Sequence, residues 1–145
     1  MKRILTAVSA VAILVAANVA PASAGNKVII EQFGKYNGAA AHQKGKRNKA
    51  FLHQRGKFNK AIAEQFGYKN EAVIGQHGRN NFAETYQRGG RNIAGTAQIG
   101  RDHEATTEQS GSGNVAGTIQ VGSGQKAETY QSGKGNISVI IQGGY

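Results

Sequence analysis

Side-chain amides dominate the residues of this chain that could do chemistry, and they recur at a fixed interval. Asparagine stands at Asn26, Asn37, Asn48, Asn59, Asn70, Asn81, Asn92, Asn114 and Asn136, always in steps of 11 once His103 and Gln125 are admitted to the two remaining places. Six residues after each place comes a glutamine: Gln32, Gln43, Gln54, Gln65, Gln76, Gln87, Gln98, Gln109, Gln120, Gln131 and Gln142. Two residues further on comes a glycine: Gly34, Gly45, Gly56, Gly67, Gly78, Gly89, Gly100, Gly111, Gly122, Gly133 and Gly144. An amide carries two N–H donors and a carbonyl acceptor, so identical amides placed one above another can bond along a column. That is the chemistry of a structural ladder rather than of a reaction.

The reactive side chains form no constellation. Glu31, Glu64, Glu84, Glu108 and Glu128 recur with the repeat instead of converging on a pocket, and no nucleophile stands beside a base, so no catalytic residue is assigned. His42 and His53 fall in one outward column of the repeat, with His77 and His103 elsewhere; surface histidines, and no metal site, are expected. Gly111-Ser-Gly113-Asn-Val-Ala116 and Gly122-Ser-Gly124-Gln-Lys-Ala127 fit a loose dinucleotide pattern. They lack a strand–helix setting and are the repeat's own turns, so no cofactor is expected. Asn136-Ile-Ser138 fits a glycosylation sequon but lies in the amide column.

The element that positions these columns follows from their parity. The unit is Asn-x-Ala-x-x-x-Gln-x-Gly-x-x, repeated eleven times. A right-handed coiled coil also has an 11-residue period, but it would bury a glycine in every repeat at a total cost of ~10 kcal/mol, with no apolar stripe to offset it. In a strand, positions 1, 3, 5 and 7 share one face. They hold Asn, a small residue, an aliphatic residue or Thr, and Gln, whereas positions 2, 4, 6 and 8 vary. A uniform and a variable face imply an inside and an outside, with the turn starting at the glycine, where positive φ is needed.

Position 5 alternates large and small over Ile30, Ala41, Leu52, Ala63 and Ile74, and Ala94–Gln98 resembles Ala116–Gln120 across 22 residues. The fold class expected is therefore all-β: a β-solenoid of two-strand, 22-residue rungs, built from eleven 11-residue half-repeats and about 26 Å tall at ~4.8 Å per rung. The Thr row at Thr85, Thr96, Thr107, Thr118 and Thr129 shares the inward parity, which disfavours an ice-binding solenoid, since that needs its Thr row on a flat outer face. No polar cap closes either end, and the last strand is the most apolar, a device for polymerisation.

Residues 1–24 read as a signal peptide: basic Lys2 and Arg3, an apolar run too short for a membrane anchor, then Ala22-Ser23-Ala24. Residues 25–145 are the repeat domain. With no cysteine, an exported chain must be stable without disulfides. From Gly25 on it has 16 basic and 8 acidic residues, but residues 26–91 carry net +9 and residues 92–145 net −1. Lys35, Lys46 and Lys57 share one column of the repeat, and such like charges oppose early self-pairing of the first half. The basic half, with Tyr36, Phe51, Phe58 and Tyr68 interleaved, is also suited to non-specific attraction to anionic surfaces, extracellular DNA or polysaccharide.

The Asn-x-Ala-x-x-x-Gln-x-Gly unit, filling the chain from Asn26 onward, resembles the curlin repeat of curli fibres. The resemblance implies a bacterial amyloid-forming solenoid, secreted to the cell surface as an extracellular fibre (fimbrium or pilus), with roles in cell adhesion and biofilm. It implies as partners the chain itself, another curlin subunit, and the curli secretion pore with its accessory proteins. It also makes the Asn and Gln columns the structural ladder and the Gly column the turn. Two departures stand out: Asn begins nearly every repeat where major curlins alternate with Ser, and no separate targeting stretch precedes Asn26. A minor nucleating subunit, towards which the basic excess leans, and a monomeric solenoid adhesin are the alternatives.

Overall fold

The computed structural model describes residues 25–144, and the signal-peptide assignment of residues 1–24 lies outside them. Eleven strands follow one another: β1 (Lys27–Lys35), β2 (Gly38–Lys46), β3 (Lys49–Lys57), β4 (Lys60–Tyr68), β5 (Glu71–Arg79), β6 (Phe82–Gly90), β7 (Ile93–Arg101), β8 (Glu104–Ser112), β9 (Val115–Ser123), β10 (Lys126–Lys134) and β11 (Ile137–Gly144). Odd strands form a six-stranded sheet in the order β1-β3-β5-β7-β9-β11, and even strands a five-stranded sheet in the order β10-β8-β6-β4-β2. Every pairing is parallel and joins residues 22 apart, as in Gln54 with Gln76 and Gly56 with Gly78. The chain is thus a β-solenoid whose rung is strand, turn, strand, turn.

The two sheets bury the faces that strand parity assigns. Ala50, Leu52, Ala61, Ala63, Ala72, Ile74 and Ala83 form the apolar core, flanked by Ile30, Ala39 and Ala41. Leu52 and Ile74 lie on the odd sheet and face the alanines of the even sheet, so large meets small across the core. Each such fully buried aliphatic side chain contributes about 1.5–3 kcal/mol. From β6 to β10 the column changes to threonine, and Thr85, Thr96, Thr107, Thr118 and Thr129 are all buried.

The turns hold two left-handed positions per repeat. The column glycine has φ near 100–130° in every repeat from Gly34 to Gly133. The second position, two residues on, has φ between 54° and 58° at Tyr36, Arg47, Phe58, Lys69, Asn80, Arg91 and Asp102. Gly113, Gly124 and Gly135 occupy it in the last turns with φ of 67–70°. A side chain in this region costs about 1 kcal/mol. From Phe58 onward stacking offsets that cost, because the same residue donates its N–H to the rung below, as Phe58 N does to Lys35 O at 3.1 Å.

A 22-residue rung also separates residues that the 11-residue repeat had grouped. Lys35 pairs with Lys57, but Lys46 pairs with Tyr68 on the other sheet, so the three lysines do not form one column. His53 lies beside Glu31 at 3.1 Å on the odd sheet, while His42 lies on the even sheet over Glu64. The two histidines therefore share no column.

Candidate functional site: amide ladders and open ends

The glutamine column bonds along itself. Gln54 Nε2 donates to Gln76 Oε1 at 2.7 Å, Gln76 Nε2 to Gln98 Oε1 at 2.8 Å, and Gln98 Nε2 to Gln120 Oε1 at 2.9 Å. The even sheet repeats the pattern from Gln43 through Gln65, Gln87 and Gln109 to Gln131. From Gln43 onward the other N–H of each amide crosses to the facing sheet, as from Gln76 to Lys60 O at 2.9 Å. Each glutamine thus ties a rung to the next and one sheet to the other. The ladder has a direction: donors point towards the C-terminal end of the stack.

The asparagine column works differently. Its Oδ1 accepts from the backbone N–H of the residue 22 further on, as Asn48 Oδ1 does from Asn70 N at 3.0 Å. Its Nδ2 donates to two carbonyls of the turns, as Asn70 does to Phe66 O at 3.2 Å and Gly89 O at 3.1 Å. Side-chain-to-side-chain bonds are occasional, such as Asn81 Nδ2 to Asn59 Oδ1 at 3.1 Å. Asparagine is therefore a turn cap, and the column glycine presents the carbonyl that it holds. His103 imitates it with a ring. Its backbone N–H reaches Asn81 Oδ1, and its Nδ1 accepts from Gln125 N at 3.3 Å. Nε2 then carries the proton donated to Ile99 O at 3.2 Å. With one N–H instead of two, the ring has none left for Gly122 O.

The column glycine also meets a close approach. A Cβ on Gly56 would lie 1.8 Å from Gly78 O, and one on Gly78 would lie 1.8 Å from Gly100 O. Positive φ is thus only half of the reason for glycine here; the other half is a neighbouring carbonyl turned into the space of a side chain.

The Thr column leaves polar atoms over. Thr85, Thr96 and Thr129 have buried hydroxyl oxygens without a hydrogen-bond partner. Thr85→Val, nearly the same shape, should therefore stabilise the fold by ~1 kcal/mol, since a buried unpaired hydroxyl costs ~1–3 kcal/mol. Denaturant midpoints of the monomer would show it, and a loss of stability would mean that the hydroxyl is paired.

The outer faces differ. On the odd sheet, β7, β9 and β11 present Ile93, Ile99, Val115, Ile119, Val121, Ile137, Val139 and Ile141, all exposed. On the even sheet Lys126 sits between Glu104 at 3.5 Å and Glu128 at 3.1 Å. Its hydrogen bond to Glu128 and the negative charge of Glu104 hold it above the usual lysine range. Cations line both turn edges. Lys35, Lys57, Arg79 and Arg101 stack on one, where a groove of about 550 Å³ runs along Lys57, Arg79, Arg101 and the column glycines. Arg47, Lys69 and Arg91 recur at 22-residue spacing on the other edge, with Arg91 over the Tyr68 ring at 5.8 Å. Tyr36 and Phe58 stack at 5.0 Å beside Lys35 and Lys57.

Among the described residues the ends are open: β1 and β2 at one end and β10 and β11 at the other each have a single bonded neighbour. Among the described residues, two side-chain amide oxygens are buried without a partner, Gln43 Oε1 and Gln125 Oε1, and each belongs to a terminal rung.

Parallel strands, 22-residue rungs and columns of amides define a β-solenoid of the repeat-protein class. The family model of the curlin associated repeat matches residues 45–78 and 78–111, so these adjacent stretches are curlin repeats, and the match supports the curlin family. No curated protein sequence matches it.

Proposed function

We propose that the chain is a structural subunit of extracellular curli-type amyloid fibres, serving adhesion and biofilm matrix and growing by end-to-end stacking of its strands. The observation that supports this reading is that, among the described residues, neither end is capped: four terminal strands offer free backbone edges in the register of the repeat. A solenoid meant to stay single needs polar caps, because exposed edges recruit further strands. The family supports the reading, since a curlin repeat implies a curli subunit. Secretion to the bacterial surface, dependence on the curli pore and its accessory proteins, and partnership with another curlin subunit follow from the same family reading.

The cation columns on both edges suit a fibre that holds anionic matter, such as outer-membrane lipid, extracellular DNA or acidic polysaccharide, through long-range charge. That attraction should weaken as salt shortens the screening length. The minor, nucleating subunit is the second reading, favoured by the concentration of positive charge in residues 26–91.

Purified protein from Gly25 onward, followed for days by size exclusion and Congo red, tests these readings together. Filaments with a meridional spacing near ~4.8 Å are expected. Growth without a lag and without seeds would assign the nucleating role. A species that stays single would leave a monomeric adhesin.

A further inference from the structure

The eleven described strands make five and a half rungs, so the described stack ends on a half-step. The odd sheet ends on β11 and the even sheet on β10, one half-rung lower. A second copy set on top by translation alone would put its β1 on β11 and leave the place above β10 vacant. A second copy turned by half a revolution about the stack axis puts its β1 on β10 and its β2 on β11, with no gap. We propose that successive protomers of the fibre are related by this half-turn, so that each protomer's odd strands continue its neighbour's even sheet.

The two partnerless amide oxygens choose between the joints. Inside the stack every glutamine Oε1 accepts from the glutamine 22 residues earlier, as Gln65 does from Gln43. Gln43 has no such donor among the described residues, and its Oε1 is buried without a partner there. In the half-turn joint the Gln142 amide of the preceding copy lies directly beneath it. Gln142 Nε2 has used one N–H on Lys126 O at 2.9 Å and has its other for Gln43. Likewise the acceptor atom of each asparagine-place residue receives a backbone N–H from 22 residues further on, as His103 Nδ1 does from Gln125 N. No described residue stands there for Gln125, and its Oε1 is the second orphan. The half-turn joint brings in the backbone N–H of Asn26 from the next copy. Translation satisfies neither atom, because it faces Gln142 with Gln32 and leaves Gln125 uncovered.

The glycines agree. A Cβ on Gly133 would meet only Asn136 Nδ2, at 3.7 Å, and Gly144 is similarly open, in contrast to the glycines below them. Under the half-turn Gly34 and Gly45 of the next copy cover both, and the two glycine columns continue unbroken. Lys27 arrives over Lys126, whose charge Glu104 and Glu128 already hold.

The inference rests on polymerisation by strand stacking and says how the copies join. The chain has no cysteine of its own, which gives a clean test. Outward residues at the fourth place of facing strands should lie ~4.8 Å apart, whereas residues on the two outer sheet faces are separated by more than ~10 Å. The half-turn sets Ala40 of one copy over Val139 of its neighbour; translation would set Ile29 there. Fibres of the double variants Ala40→Cys/Val139→Cys and Ile29→Cys/Val139→Cys would be treated with a short thiol cross-linker and run on a denaturing gel. The first pair should give a ladder of multimers containing most of the protein, and the second should stay monomeric. The reverse pattern, or no cross-linking by either pair in fibres that do form, would overturn the half-turn. Absence of fibres from the unsubstituted protein would instead overturn the polymerisation on which it rests. An axial repeat of two protomers, eleven rungs or ~53 Å, is the matching signature in diffraction.

Discussion

Replacing Gly78 by alanine should break the stack at its middle. Gly78 sits on β5 with φ of +129°, and the new Cβ would lie 1.8 Å from Gly100 O and 2.8 Å from its carbon. Neither atom can yield alone, because Gly100 O is held by Asn81 Nδ2 at 3.2 Å and Gly78 O by Asn59 Nδ2 at 3.1 Å. Backbone strain of ~1–3 kcal/mol and an overpacking cost of ~1–3 kcal/mol together predict a loss of about 3–5 kcal/mol. Because a solenoid's rungs interact mainly with their neighbours, the damage should also split the unfolding transition into two. Gly95→Ala is the control, since nothing lies within 4 Å of its Cβ position. It should shift stability by less than ~0.5 kcal/mol. Chemical denaturation of monomeric protein compares the two, and equal midpoints would refute the close-approach account.

Gln76→Leu should cost nearly as much, although it preserves size. Gln76 accepts from Gln54 and donates to Gln98 and to Lys60 O, and all of these bonds are buried or partly so. Leucine leaves one donor and two acceptors without partners, each worth ~1–3 kcal/mol when buried. Part is regained from the apolar side chain, so a net loss of roughly 3–4 kcal/mol is expected. Tyr130→Ser removes far more atoms but from a side chain that is 64 % exposed, and should cost under ~1 kcal/mol. Thermal or denaturant unfolding ranks the two variants. If the tyrosine variant were the weaker, burial of the amide column would not be what holds the rungs together.

Much of this was legible because each rung repeats the last. A column of identical residues at step 11 needs a structure in which equivalent atoms recur, and the alternation of Ala, Thr and Gln with variable residues admits only a strand with one buried face. Large–small alternation from Ile30 to Ile74 reveals that two strands face each other, so the rung of 22 is contained in side-chain volume. Other features left little trace. The second left-handed turn residue is glycine only at Gly113, Gly124 and Gly135, where the sequence shows a Gly-x-Gly pattern that otherwise reads as a loose nucleotide motif. At Phe58 through Asp102 the strain is offset by stacked backbone bonds, and composition cannot report a conformation that the residue itself does not favour.

By itself, then, the sequence determined the period, the inward and outward faces, and the need for glycine at every eleventh residue, since all three are properties of one repeat. The tertiary structure decided whatever depends on the relation between repeats. It turned asparagine from a self-pairing amide into a cap on turn carbonyls, because the carbonyl of the glycine 19 residues on swings into reach only when rungs stack. It sent Lys46 to the edge opposite Lys35 and Lys57, because half-repeats alternate between sheets. It also left Gln43 Oε1 and Gln125 Oε1 without partners, because a ladder of directed bonds has an acceptor to spare at one of its two ends.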